Sequence, residues 1–264
     1  MTWKIPEHPY LRRGHPLNRG LVLGLPMQEP TGDNTRDISL CRNHGTLVNG
    51  PTRVMTAMGR ASGFDGGGDR YVAATSDGQF NADDLTISMW IHLLSWGQGS
   101  FGRLLDMANT EQTEGYTLYV DSSGRVSYAS YGPSGTVVSA ASLALNQWHH
   151  IAVVLTNRAI AGVGSIYVDG VDVTASSSLT TYTPSSNALW FGIRRDLQRE
   201  FDGYILAPAI HSRVLAPAEI RKLAGLDGDP YVQWRPMPKR RDDDFYGPPI
   251  NNDIGDSAFL GSVV

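Results

Sequence analysis

The sequence holds a single cysteine, Cys41, so no intrachain disulfide can staple the fold. That count leans toward folding in a reducing compartment, without excluding maturation outside the cell. Charged residues make up only 18% of the chain, and the formal net charge is −4. A chain this poor in basic excess carries no global field for holding nucleic acid. No run approaches the roughly 20 apolar residues that span a bilayer. The opening Met-Thr-Trp-Lys-Ile-Pro-Glu-His-Pro-Tyr has no apolar stretch of the signal-peptide kind, so the expectation is a chain made and folded in the cytoplasm, without membrane insertion.

Catalytic signatures are also scarce. There is no Gly-x-Ser-x-Gly elbow and no phosphate loop. Gly66-Gly-Gly68 would cradle a phosphate only ahead of a helix, and the residues after it read as a strand. Cys41 lies in a loop with no base marked beside it. His149 and His150 are adjacent in a strand, where neighbours point to opposite faces, so they cannot chelate one metal together. Lys239-Arg-Arg241 is cancelled at once by Asp242 to Asp244, as expected of a solvated or partner-docked tail.

What the chain has in plenty is Gly (29 residues), Pro (15 residues) and, in its middle, Ser and Thr. Many short strands joined by turns fit this composition, and 264 residues suffice for one large β domain. Residues 1–19, with Pro6, Pro9 and Pro16 among arginines, read as an arm. Leu21, Leu23, Leu25 and Met27 alternate as in a half-buried strand, and 28–60 reads mostly as loop. Leu85, Ile87, Met89, Ile91 and Leu93 share one face of a strand. Tyr116, Leu118 and Val120 turn at Asp121-Ser-Ser-Gly124 into Val126 and Tyr128. Trp148 to Leu155 reads as a central strand entered at a buried Trp148, and Asp169-Gly170 as a tight hairpin turn. Ala188–Ile193 and Tyr204–Ile210 complete the set; Pro208 places that last strand at an edge or gives it a bulge. A short helix starts at Pro217, with Glu219 near its N-terminus, Gly225 past its end, and Ile220 and Leu223 turned to the sandwich. The domain therefore covers 20–228, followed by an extended tail over 229–264. Arms of this composition order only when something holds them, either a neighbouring subunit or their own domain.

Several segments in order resemble a known family: Asn43-His-Gly-Thr-Leu47, Gly59-Arg-Ala-Ser-Gly-Phe-Asp-Gly66, Leu85-Thr-Ile-Ser-Met-Trp-Ile91, Gln147-Trp-His-His-Ile-Ala-Val153, Ile166-Tyr-Val-Asp-Gly170 and Phe201-Asp-Gly-Tyr-Ile205. Together they look like the laminin-G-like branch of the concanavalin A-like lectin/glucanase superfamily. The resemblance implies an all-β, two-sheet antiparallel jelly roll with one concave sheet. The early Asn-His-Gly-Thr-Leu and the late Asp229-Pro-Tyr231 with Trp234-Arg-Pro236 resemble domains of tailed-phage structural proteins. That second resemblance implies a non-enzymatic virion protein, a head, neck or tail decoration or appendage, with the jelly roll outward and arms bound to other virion proteins. The alternative is a free glycan-binding, lectin-like module, and the two combine if a particle protein adsorbs to surface polysaccharide.

Members of the superfamily often hold a structural calcium through an acidic residue where this chain has Leu206 followed by Ala207, and leucine offers no oxygen to a hard cation. Asp37, Asp65 and Asp69 remain as loop candidates for a metal, each also suited simply to shaping a turn. Glucanases of this fold use Glu-x-Asp-x-Glu on one strand. The nearest counterpart is Glu200-Phe-Asp202-Gly-Tyr204, whose third position is tyrosine and whose place in the closing segment carries no catalytic strand in the family. A diverged glucanase is the remote reading. For binding, Trp96, Tyr131 and Tyr182 are the loop aromatics that would stack on sugar rings or anchor a protein interface, unless they cap the ends of the sandwich.

Overall fold

A computed structural model describes residues 4–5, 9–12, 14–68, 71–75, 78–228 and 234–236. It is an all-β sandwich of two antiparallel sheets, with one short helix near its C-terminal end. One sheet has nine strands, in the order Thr174–Ser178, Gly135–Ser142, Arg125–Ser130, Tyr116–Asp121, Phe101–Asp106, Leu189–Phe191, Tyr71–Ala74, Gly45–Val48 and Asn34–Thr35. The other runs Val171–Asp172, Val163–Val168, Trp148–Thr156, Leu85–Leu93, Asp202–His211, Gly59–Asp65 and Thr52–Thr56, and Leu21–Gly24 pairs with Asp202–His211 as its eighth strand.

The alternation read from the sequence holds the sheets together. Leu85, Ile87, Met89, Ile91 and Leu93 all lie in the interior, facing Leu105, Leu118, Val126 and Phe191 of the opposite sheet. Tyr116 and Tyr128 join them, and beside these rings lies Arg158, a guanidinium buried in the apolar interior. It is held by Tyr128 Oη at 3.2 Å and by the Ala82 carbonyl, to which its Nη2 donates at 2.5 Å. Asp169 and Gly170 both take positive φ, 49° and 76°, and close the hairpin where expected. Pro208 sits in a bulge: the pairing of its strand with Leu85–Leu93 shifts between Leu206 and Ala209, and Ala207 adopts φ 52°. The strand is central, so the bulge, and not an edge position, is what accommodates the proline.

Two points differ from the sequence reading. Residues 28–60 are mostly loop as expected, but they also carry strands that the alternation did not announce. Asn34–Thr35, Gly45–Val48 and Thr52–Thr56 are strands whose Gly, Asn and Thr content hides the alternation. Trp148 is not a core residue: it stands half-exposed on the outer face of the eight-stranded sheet, against His92 and Tyr204.

That outer face is covered by the chain ends. Ile5 packs on Ala61, Trp90 and Leu206, and its N–H donates to the Met58 carbonyl at 3.0 Å. Leu17 is buried with Ala152, Val154 and Leu215 beneath the helix Pro217–Leu223, which contributes Ile220 and Leu223. Glu219 starts that helix by accepting the Ala216 N–H at 2.9 Å and binding the Arg213 guanidinium. Pro9–Leu11 pairs with Trp234–Pro236, so the two arms meet in a two-stranded ribbon. The described part of the N-terminal arm is therefore held along its own domain. The Lys239–Asp244 charge run lies outside the described residues.

Candidate functional site

Among the described residues, the nine-stranded sheet has no apolar cluster on its outer face, in contrast to the other sheet. Register decides what that face presents instead. Thr117 pairs with Asp106, Tyr119 with Arg103, and Trp190 with Asp106, each on the side opposite the core residues Leu105, Leu118 and Phe191. The pairing slips between Leu118 and Tyr119, which turns both Leu104 and Leu105 inward and leaves Arg103 and Asp106 together outside.

Asp106 is 1% exposed and Arg103 5% exposed, with Nε and Oδ2 3.6 Å apart, too far for a hydrogen bond. Neither of these two atoms has a hydrogen-bond partner among the described residues. Burial pushes the Asp106 carboxyl up to about 7, against the opposing pull of Arg103, the Ala108 N–H, Arg195 and Thr117. Burial likewise lowers the Arg103 guanidinium from its usual value. The segment 194–199 folds beside the pair, and Arg199 accepts the Arg103 N–H at its carbonyl. Arg194 is closed off by Asp196 in a two-pronged ion pair. Arg195 lies over Trp190 with its guanidinium carbon 4.1 Å from the ring centre, and Tyr71 stacks on the same ring at 4.1 Å. Two groups cannot share one ring face at that distance, so Trp190 is sandwiched between them. Arg103 covers Tyr119 at 4.7 Å and Arg199 covers Phe101 at 5.0 Å. The face is a row of aromatic rings roofed by arginines.

Of the aromatics expected to bind, Tyr131 stands at this face, close enough to Arg103, Asp106 and Tyr119 for their charges to act on its phenol, which burial raises. Trp96 is elsewhere: half-buried, it closes one end of the sandwich against the core, its ring tucked under Gly124, where an added Cβ would come within 2.8 Å. Tyr182 does not offer the exposed face expected of it. It is 5% exposed, its hydroxyl bonds to Asn81, and Arg158 covers its ring at 4.2 Å. Arg103, Asp106, Trp190 and Arg195 were not singled out from the sequence, because only strand register assembles them.

The metal candidates separate. Asp37 is buried and spends its carboxylate on the Gly24, Ser39 and Asn43 N–H groups, at 2.8, 2.8 and 2.7 Å, and on the Ser39 hydroxyl. It shapes the 37–43 loop. Asp65 accepts from the Gly67 N–H at 3.3 Å, in a turn, and Asp69 lies outside the described residues. Leu206, in the position of the superfamily's calcium ligand, is buried against Ile5 and Trp90. Among the described residues no three His, Cys, Asp or Glu side chains converge as a metal site requires. Glu200 is buried ahead of the Asp202–His211 strand, Asp202 takes the Ser95 hydroxyl at 2.6 Å opposite Asp65, and Tyr204 packs with His92 and Trp148. Asp202 and Tyr204 belong to the eight-stranded sheet, and Glu200 lies in the loop that leads into it. His149 and His150 diverge as expected: His149 meets Asp169 at 2.8 Å, and His150 turns to Trp90 on the other side. No helix among the described residues is long and apolar enough to cross a membrane.

A family profile described as the concanavalin A-like lectin/glucanases superfamily matches residues 65–221. No curated protein matches the chain. Among solved structures, the binding domain of Paraclostridial Mosquitocidal Protein 1 superposes with a TM-score of 0.62 at 16% identity, over 79% of this chain and 52% of that one. The binding domain of Botulinum Neurotoxin DC in complex with SialylT gives 0.60 at 16% identity, over the same shares. Trypanosoma rangeli sialidase gives 0.57 at 19% identity, over 79% of this chain and 33% of that one. The chain thus spans about half the length of the toxin binding domains and a third of the sialidase, and at these identities the likeness is one of fold.

Proposed function

Because the chain belongs to the concanavalin A-like lectin/glucanases superfamily, we propose that it is a carbohydrate-binding module, holding a saccharide on the outer face of its nine-stranded sheet without cleaving it. The observation that carries this reading is the aromatic and arginine row over Asp106, which leaves buried hydrogen-bonding capacity unused. Sugar recognition needs what this face supplies: charged donors and acceptors for hydroxyls, held in place beside aromatic rings. Cleavage would need two free carboxyls flanking a glycosidic bond, and on this face Asp106 lies among arginines while the neighbouring Asp196 is tied to Arg194. A glycan array probed with the whole chain tests the reading. Binding is expected, with loss in Tyr119→Ala and Tyr131→Ala while circular dichroism stays unchanged; silence across the array overturns it. Release of reducing ends from a bound β-glucan, abolished in Asp202→Asn, would replace binding with hydrolysis.

A second reading rests on the resemblance of 43–47 and 229–236 to tailed-phage domains: the module is a non-enzymatic part of a virus particle, anchored through residues beyond the sandwich and presenting this face outward. Mass spectrometry of purified particles decides it, and absence of the chain from them ends it.

A further inference from the structure

The guanidinium groups around Asp106 carry more positive charge than their surroundings neutralise. Arg194 is answered by Asp196. Arg195 makes no ion pair among the described residues: its Nε and one terminal nitrogen donate to the Ala108 and Ala188 carbonyls, and Asp106 is the carboxyl whose charge reaches it. Arg199 donates to the Gly99 carbonyl and lies over Phe101. Arg103 has only Asp106, a carboxyl that burial keeps partly protonated at neutral pH. A chain of net charge −4 therefore carries a local basic surface, built on its one sheet face without an apolar cover.

Beside that excess lie two buried groups with unused hydrogen-bonding capacity. Arg103 Nε–H lacks an acceptor and Asp106 Oδ2 lacks a partner, 3.6 Å apart. One hydroxyl oxygen placed between them would accept from the arginine and donate to a carboxyl oxygen, which accepts in either protonation state. Leaving such buried groups unmet is costly, so the pair favours a hydroxyl-bearing occupant. Tyr131 borders the pair. The Tyr131 backbone is fixed, N–H to the Gly115 carbonyl and carbonyl from the Thr183 N–H, while its hydroxyl has no hydrogen bond among the described residues. The ring can therefore turn aside without breaking a hydrogen bond.

Building on the carbohydrate reading, we propose that this cluster is a subsite for an acidic sugar, with the ligand's carboxylate on Arg195, supported by the Arg199 charge, and a neighbouring ring hydroxyl between Arg103 and Asp106. The guanidinium plane suits a carboxylate, and the adjacent acceptor–donor pair suits a hydroxyl one or two ring carbons away. A uronic acid carries both groups on one ring. Asp106 then opposes the ligand when ionised and admits it when protonated. The groups facing Asp106 are Arg103 on its own strand, Thr117 on the neighbouring strand, Arg194 and Arg195 from the 194–199 segment, and Tyr131. None of the other groups titrates near neutrality, so the pH response belongs to Asp106.

The test uses the whole chain on an array carrying uronic-acid oligosaccharides, their carboxyl-reduced counterparts and neutral oligosaccharides. Calorimetry then follows on the best uronic-acid ligand. The expected result is retention of carboxylated members, with the reduced counterparts and Arg195→Gln each about tenfold weaker or more. Wild-type affinity falls as pH rises through about 7, with protons taken up on binding. Asp106→Asn removes both effects and binds at least as tightly at pH values above that range. Neutral or carboxyl-reduced members binding as well as carboxylated ones overturns the acidic-sugar subsite and leaves the carbohydrate reading standing. Binding indifferent to Arg195→Gln and Asp106→Asn overturns its placement. No binding by any member overturns both.

Discussion

His211 Nε2 lies 2.9 Å from the carbonyl oxygen of Leu17, so a histidine of a central strand fastens the N-terminal segment to the sandwich by donating through its Nε2–H. The other ring nitrogen has no partner, and burial drops the imidazole to about 4; His150, packed against Trp90, is likewise held at about 4. Both bind protons more weakly folded than unfolded, from an ordinary value of 6.5. Stability is therefore fully present above pH 6.5 and falls as pH drops toward 4, by up to about 3 kcal/mol for each histidine. Urea unfolding across this range should show the loss, and His211→Gln should flatten its share of the slope. An unchanged slope in that variant would assign the loss to other groups.

Asp106 has the opposite sign. Its folded value of about 7 stands above the ordinary 3.8, so the folded state binds its proton more tightly. Its contribution is complete below pH 3.8 and is lost as pH rises through 7, a swing of about 4 kcal/mol at most. Asp106→Asn should raise the Tm at pH 8 and lose that advantage below pH 4. Differential scanning calorimetry at the two pH values checks it, and an equal shift at both would mean that the carboxyl is not the titrating group.

Leu17 is 1% exposed beneath the helix. Leu17→Ala should destabilise the domain by about 2–5 kcal/mol, the cost of a large-to-small change at a buried site. A near-zero effect in chemical denaturation would detach the N-terminal segment from the folded unit.

Asp37 receives three backbone N–H groups, and its removal strands them in the interior. Asp37→Ala should cost about 3 kcal/mol or more, with Asp37→Asn intermediate because one amide oxygen still accepts. Since those donors occupy the carboxylate, millimolar calcium should leave the wild-type Tm where it stands in EDTA. A calcium-dependent rise in thermal melts would restore Asp37 as a ligand.

Which parts of this molecule were legible beforehand follows from the range of the interactions involved. The Leu85–Leu93 strand announced its inward face because alternate apolar residues have one way to be buried. Asp169-Gly170 announced its turn because that geometry demands positive φ. The strand Phe101–Asp106 did not announce its faces: Leu104 and Leu105 are adjacent, and a slipped pairing with Tyr116–Asp121 turns both inward. Tyr182 looked like a loop aromatic, but Arg158 draws it into the interior from 24 positions away in sequence.

The sequence by itself determined the class of fold, the core strands, the hairpin and the helix, because each is set by neighbours a few residues apart. Only the tertiary structure decided which face stays open. It laid the N-terminal segment and the helix over one sheet, and it brought Arg103, Asp106, Tyr131, Trp190 and Arg195 together on the other. The reason is physical: strand register and burial are cooperative properties of the whole sandwich, and no local stretch of chain encodes the charge environment they create.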